Sequence, residues 1–388
     1  MSDIYAKLGV KRRINAAGTL TRLGGTLMVP AVLDAMREAS QASVDIGELQ
    51  SAASRVIART TGAEAGLVTS GASAALTLAA AACVAGYDIA RMARLPDTRD
   101  MPNEIVMLRT HRNAYDHALR AAGAAIVDIG HNDRGTGAGV RGIEAWEIEA
   151  AFGPRTAAFC FVATPETKHD LPLVAETCHR RGIPVIVDSA AQLPPATNLR
   201  AFIAAGADLV VFSGGKAIGG PQSTGILTGK RDLVASALLQ QLDMDVVPQR
   251  WSAPDLIDRA KAPVPPHHGI GRGFKVGKEE IVGLLVALER FANKDEMSRL
   301  PELRLAAIAK ALETVPTRIV DGKVSTLEIS TPNADQAVAR LAAYDPPVHV
   351  GERKADAGVL IVDLQAVRQE DDQVLIAALK QALSPTQK

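Results

Sequence analysis

Between residues 105 and 212, short apolar runs alternate with longer segments of helical spacing, and this alternation restricts the chain to very few folds. Strands are expected at Ile105–Leu108, Ala125–Ile129, Ala157–Val162, Ile183–Val187 and Leu209–Phe212. Helices are expected between them at Tyr115–Ala122, Ile143–Ala151, Leu173–Arg181 and Leu199–Ala205, with Gly182 capping the third. The alternation predicts an α/β architecture: a mostly parallel sheet with helices on both faces. Upstream, Pro30–Ala42, Ser51–Thr61 and the apolar Ala72–Tyr87 read as helices.

The pattern changes after about residue 230. A helix is expected at Arg231–Leu242, followed by a Pro-, His- and Gly-rich crossing segment, Pro254–Arg272. Long helices follow at Glu279–Asn293 and Pro301–Thr314. The tail reads as a compact α+β unit, with strands at Val324–Ile329, Val348–Val350 and Val359–Asp363 and helices at Asp335–Ala343 and Asp371–Leu383. A chain of 388 residues is long enough for more than one packed unit. The expected division is an N-terminal segment (1–45), a large α/β domain (46–275) and a small α+β C-terminal domain (276–388).

Composition narrows the partners. Hydrophobic residues make up 47% and aromatics only 3%, which suits buried parallel strands flanked by Ala-rich helices. Lys plus Arg equals Asp plus Glu at 43 each, and no basic tract stands out, so a small molecule rather than a nucleic acid is the expected partner. Cys83, Cys160 and Cys178 lie far apart without metal-ligand spacing and read as core thiols in a reducing cytoplasm. The N-terminus has no apolar signal core, and the Ala72–Gly86 run reads as a buried helix rather than a membrane span. A cytoplasmic enzyme without a metal is the expectation.

The sharpest chemical signal is Asp208-Leu-Val-Val-Phe-Ser213-Gly-Gly-Lys216, in which a buried strand delivers a lysine into a Ser/Gly turn. Desolvation there can strip the ammonium of its proton and make a nucleophilic amine; a solvated loop lysine is the alternative. One βαβ step earlier, the strand Ile183–Val187 runs into Asp188, where open α/β sheets place their ligands. Asp188 reads as a helix cap or, given Lys216, as the carboxylate that keeps a pyridine nitrogen protonated. Ser70-Gly71-Ala72-Ser73 opens a helix and can cradle a phosphate, with Ser213 adding a hydroxyl; a plain Ser cap is the alternative. His111 follows a strand at the same edge and could stack on a ring or carry a proton; a surface-loop histidine is the alternative. Gln192 either reaches a cofactor oxygen or caps the next helix. Arg272 and Lys275, flanked by glycines, either bind an anion, including one from a neighbouring subunit, or are solvated. His267-His268 has no further ligand at metal spacing.

Together these motifs resemble the selenocysteine synthase-like branch of pyridoxal 5'-phosphate (PLP) enzymes and, within it, the D-glucosaminate-6-phosphate ammonia-lyase-like members. The resemblance is carried by Ile14-Asn15-Ala-Ala-Gly18-Thr19, Thr21-Arg-Leu-Gly-Gly25, Asp45 with Glu48-Leu-Gln50, Thr61-Gly-Ala-Glu64, the Ser70 segment, His111-Arg-Asn113, Asp188-Ser-Ala-Ala-Gln192, Ser213-Gly-Gly-Lys216 and Gly271-Arg272. It covers residues 10 to 295 and, loosely, the tail. It implies the PLP-dependent aminotransferase-like fold (fold type I). It further implies Lys216 as the Schiff-base lysine, Asp188 as the pyridinium partner, Ser70 to Ser73 around the phosphate and His111 facing the ring, in a homo-oligomer with shared sites. The tail's Asp363-Leu-Gln-Ala-Val lacks the arginine the family carries near Gln365, so Arg353 or Arg272 is left as the substrate-carboxylate partner.

The function expected on this resemblance is a PLP-dependent lyase. It would act on a small hydroxylated amino acid or amino-sugar acid, with Lys216 removing the Cα proton before β-elimination. A racemase or aminotransferase shares the first steps and is the alternative. A selenotransferase acting on aminoacyl-tRNA is disfavoured by the balanced charge and by the early position of the Ile14-Asn15 motif.

Overall fold

The chain divides into two units, residues 28–293 and residues 1–27 with 294–388. The computed structural model describes residues 4–131, 143–293 and 300–384. In chain order the strands are β1 (Ile14–Ala16), β2 (Ala65–Thr69), β3 (Glu104–Leu108), β4 (Ala125–Ile129), β5 (Thr156–Val162), β6 (Val185–Asp188), β7 (Leu209–Ser213), β8 (Gly225–Gly229), β9 (Thr317–Val320), β10 (Thr326–Ser330), β11 (Val348–Lys354) and β12 (Val359–Val362).

In the larger unit the sheet order is β2-β8-β7-β6-β5-β3-β4. The pairs from β7 through β6, β5 and β3 to β4 are parallel, whereas β8 runs antiparallel to both β2 and β7. Side-chain alternation assigns the two faces to two cores. Along β5, Ala158 and Cys160 join the core containing the Ala72–Ala85 and Arg231–Gln241 helices. Phe159 and Phe161 join the opposite core, with the Ile46–Thr61, Leu171–His179, Asn198–Ala204 and Lys278–Ala292 helices. The Ala72–Ala85 helix is buried almost all round, which explains its uniformly apolar sequence. No helix among the described residues is long and apolar enough to cross a membrane.

The smaller unit has a five-stranded sheet, β1-β11-β12-β10-β9, antiparallel except for β1 with β11. Its core includes Leu305, Leu341 and Leu379 from three helices. The unit boundaries therefore differ from those expected at 45 and 275. Residues 1–27 join the C-terminal unit because β1 pairs with β11, Ile14 opposite Val348 and Ala16 opposite Val350. Residues 28–45 join the large unit because the Pro30–Ala39 helix packs on Lys278–Ala292. The approach is close: a Cβ on Gly283 would lie 2.7 Å from Met36 Cγ.

Candidate active site

Asp188, Ser213 and Lys216 lie at or just beyond the ends of parallel strands, and His111 follows the end of β3. In the register, Val162 lies opposite Asp188, Asp188 opposite Val211, and Ser213 opposite Gly225. The C-terminal ends of β5, β6 and β7 thus form one edge, the position at which open α/β sheets bind ligands.

Lys216 sits in a hairpin loop between β7 and the antiparallel β8. Gly214 N donates to Thr224 O at 2.9 Å, Gly220 N to Gly214 O at 2.9 Å, and Gly219 N to Lys216 O at 2.9 Å. A side chain on Gly215 would lie 2.4 Å from Gln222 Cα, so only glycine lets the two arms of the loop meet. Burial pulls the Lys216 pKa below that of an ordinary lysine, and the nearby Asp188 charge resists the shift. Burial likewise raises the Asp188 pKa, opposed by the Ala190 N–H and by Lys216. Ala190 N donates to Asp188 Oδ1 at 3.0 Å.

The Ala72–Ala85 helix starts from Gly71, at φ 98°, with no side-chain capping bond. The plain serine cap therefore does not form, and the first helical N–H groups point out of the helix without that partner. Gly225 packs directly on this turn: a Cβ there would lie 2.4 Å from the Gly71 carbonyl carbon and 2.6 Å from Ala72 N. The turn at 70–73, the start of β8 and Ser213 are thereby contiguous.

His111 is only 4% exposed. Its Nδ1 accepts from Val162 N at 3.2 Å, and its ring meets Phe161 edge-on, with centroids 4.7 Å apart. Burial pushes its pKa down to about 4, so the imidazole is neutral at pH 7. With Nδ1 accepting, the proton resides on Nε2, which is buried without a hydrogen-bond partner among the described residues. The unfolded chain binds this proton at the ordinary histidine pKa and the folded chain at about 4. The His111 contribution to stability is thus complete above about pH 6.5 and lost as pH falls towards 4. Its span is about 3 kcal/mol. Denaturant melts of ligand-free protein should lose this component between those pH values, and His111→Gln should abolish the difference. An unchanged pH slope in the variant would rule out a buried neutral His111.

The remaining expected residues divide by position. Gln192 is buried beyond β6, and Asn198 Nδ2 donates to its carbonyl at 2.7 Å. Arg272 lies in the turn Ile270–Phe274, held by Asp243 Oδ2 at 2.5 Å, and Lys275 beyond it is exposed. Arg353 is exposed on β11 in the smaller unit, where Gln365 Nε2 donates to Asp363 Oδ2 at 3.0 Å. Cys160 and Cys178 are buried and Cys83 is half-buried; all three are free, with thiol pKa values raised by burial. The fold gathers Asp243 and Asp245 beside His268, an acidic group hidden by its separation in sequence. Sequence patterns assign no role to Gln50 and give no sign of Gln241, two buried glutamines that bond to the β2 backbone.

The sheet thus carries a lysine hairpin and a carboxylate at its ligand edge. The L-seryl-tRNA selenium transferase family matches residues 168–246. The chain is 30% identical to D-glucosaminate-6-phosphate ammonia lyase of Salmonella typhimurium, over 98% of this chain and 97% of that protein. It is also 30% identical to a 5'-C-glycyluridine monooxygenase-decarboxylase of a Streptomyces species, over 98% of this chain and 92% of the relative. A solved D-glucosaminate-6-phosphate ammonia-lyase superposes with a TM-score of 0.82 at 28% identity, covering 99% of each chain. The chain belongs to the selenocysteine synthase-like family of PLP-dependent enzymes, among its D-glucosaminate-6-phosphate ammonia-lyase-like members.

Proposed function

We propose that this enzyme binds PLP through Lys216 and converts a small hydroxylated amino acid or amino-sugar acid into a keto acid and ammonia. The observation that carries the reading is the placement of Asp188 at the end of β6 and of Lys216 in the hairpin after the neighbouring β7, where burial favours the neutral form of each. The residues fit the cofactor. Asp188 is a desolvated carboxylate suited to a pyridinium N–H, the uncapped helix start at Gly71 suits a phosphate, and His111 keeps a buried Nε2–H without a partner among the described residues. Ser70, Gly71, Ala72, Ser73 and Ser213 would surround the phosphate, with Gln192 reaching the ring oxygen and His111 facing the ring.

Bound there, PLP supplies an electron sink for negative charge developing at the substrate Cα. Lys216 would hold the cofactor and, once its Nζ is free, would take the Cα proton there; its lowered pKa leaves more of the neutral amine than an ordinary lysine has. Asp188 would accept from the pyridine N–H and so favour the protonated ring. The β-hydroxyl would leave as water, taking up the proton that Lys216 Nζ removed from Cα, and the resulting enamine would tautomerise and hydrolyse to the keto acid and ammonia. A neutral His111 offers a hydrogen bond but no spare proton near pH 7, so it suits orientation of an oxygen better than protonation of the leaving group. Arg272, Lys275 and Arg353 are the candidates for the substrate's anionic groups. Exposed Val29, Leu33, Val44 and Ile46 support assembly as a homo-oligomer.

The test is turnover without any keto-acid acceptor, on D- and L-hydroxy-amino acids and amino-sugar acids. Ammonia and keto acid should form in equal amounts through many cycles. Stalling until a keto acid is added would favour an aminotransferase. Oxygen uptake with loss of carbon dioxide would favour a reaction like that named for the Streptomyces relative.

A further inference from the structure

The end of the Arg231–Gln241 helix makes a set of buried contacts that this mechanism does not use. Gln241 is 5% exposed, and its Nε2 donates to Val68 O at 3.2 Å and to Phe274 O at 3.1 Å. Gln50 completes the arrangement: its Nε2 donates to Val68 O at 2.9 Å, and its Oε1 accepts from Val68 N at 3.1 Å. Val68 belongs to the edge strand β2, just before Ser70, and Phe274 ends the turn that carries Arg272. One glutamine amide therefore ties the two segments together. The turn also packs closely on Gln240 and Leu78. A Cβ on Gly269 would lie 2.6 Å from Gln240 Cα, and one on Gly271 would lie 2.5 Å from Leu78 Cδ2.

Asp243 acts on the side chain rather than the backbone. Its Oδ2 accepts from the Arg272 guanidinium at 2.5 Å, while its Oδ1 accepts from Asp245 N at 2.9 Å and meets His268 Nε2 at 3.3 Å. Both carboxylate oxygens are thus engaged, Oδ2 by the guanidinium. An exposed ion pair alone would contribute little to stability. A guanidinium carries five N–H donors in a planar fork, and Asp243 takes only part of that set.

We propose that Gln241 and Asp243 are positioning residues for an oxyanion site centred on Arg272, Gln241 fixing the turn and Asp243 the guanidinium. The ligand is a phosphate or carboxylate group, from either the cofactor or the substrate. The inference rests on the assignment of Arg272 to an anion in the proposed function.

The experiment uses the holoenzyme as purified. Inorganic phosphate binding is measured by calorimetry and cofactor dissociation by absorbance after dialysis. Asp243→Ala and Arg272→Ala should each weaken one of these affinities about tenfold, the difference that one hydrogen bond to a charged group makes. Weaker retention of PLP identifies the cofactor phosphate as the ligand. Weaker phosphate binding with PLP retained identifies a substrate anion. The double variant should be no weaker than Arg272→Ala, because Asp243 acts through Arg272. Asp243→Asn, which keeps an acceptor oxygen, should recover part of the loss and provides the readout if the alanine variant does not fold. Gln241→Leu should shift the same affinity in the same direction. A lower melting temperature with both affinities unchanged would overturn the proposal. So would tighter phosphate binding in Asp243→Ala, which would mean that the carboxylate masks Arg272. A protein that binds no PLP but follows the phosphate pattern would sink the proposed function and leave this inference standing.

Discussion

Lys216→Ala is expected to fold normally, yet carry no cofactor that borohydride can fix to the chain, and to lose activity by about 10²–10⁴-fold or more. Folding should survive because the hairpin is closed by backbone bonds, Gly214 to Thr224 and Gly220 to Gly214, that need no lysine side chain. Activity should not, because alanine leaves no amine at this edge to hold the cofactor or to accept the Cα proton. In the wild type, activity should rise with pH as the Lys216 ammonium loses its proton, with a midpoint below the ordinary lysine pKa because burial disfavours the charged form. Peptide mapping after borohydride treatment checks the attachment. A labelled lysine elsewhere, at Lys230 or Lys275 for example, would remove Lys216 from this role.

Asp188→Asn is expected to retain PLP but slow Cα deprotonation by about 10²–10⁴-fold. A neutral amide cannot keep the pyridine nitrogen protonated, so charge developing at Cα loses its sink. The effect can be separated from one on Lys216. The Asp188 charge raises the Lys216 pKa, so its removal should leave the amine more neutral at a given pH and, on that ground alone, a better base. A slower reaction despite a freer base would locate the loss at the ring. Deuterium exchange at the substrate Cα measures the step directly, and near wild-type exchange would exclude Asp188 from the mechanism.

The two predictions rest on residues whose neighbourhoods were unequally legible. The alternation of apolar strands and helices between 105 and 212 was plain, because strands buried on both faces must be apolar throughout. That alternation also places Asp188 at the end of one strand and Lys216 in the turn beyond another. Strands β1, β2, β8 and β9 were not anticipated. Glycine argues against a strand locally, yet β2 contains Gly66, and β8 begins and ends with Gly225 and Gly229. Those glycines answer contacts distant in sequence. Cβ atoms there would lie 2.3 Å from Ile57 Cγ2, 2.4 Å from the Gly71 carbonyl carbon and 1.9 Å from Asp208 O.

The sequence by itself therefore determined the parallel α/β core, the lysine turn, the aspartate one βαβ step before it and the family resemblance, all of which depend on local periodicity or contiguous motifs. The tertiary structure alone decided that β8 runs antiparallel beside β2, that β1 joins the C-terminal sheet, and that Gly71 starts its helix without a side-chain cap. It alone decided that burial holds His111 neutral, and that Gln241 and Asp243 meet the turn carrying Arg272. Each of these depends on which distant groups become neighbours and how much water they exclude. Pairing, desolvation and backbone contact are properties of the packed chain, and no short window of residues records them.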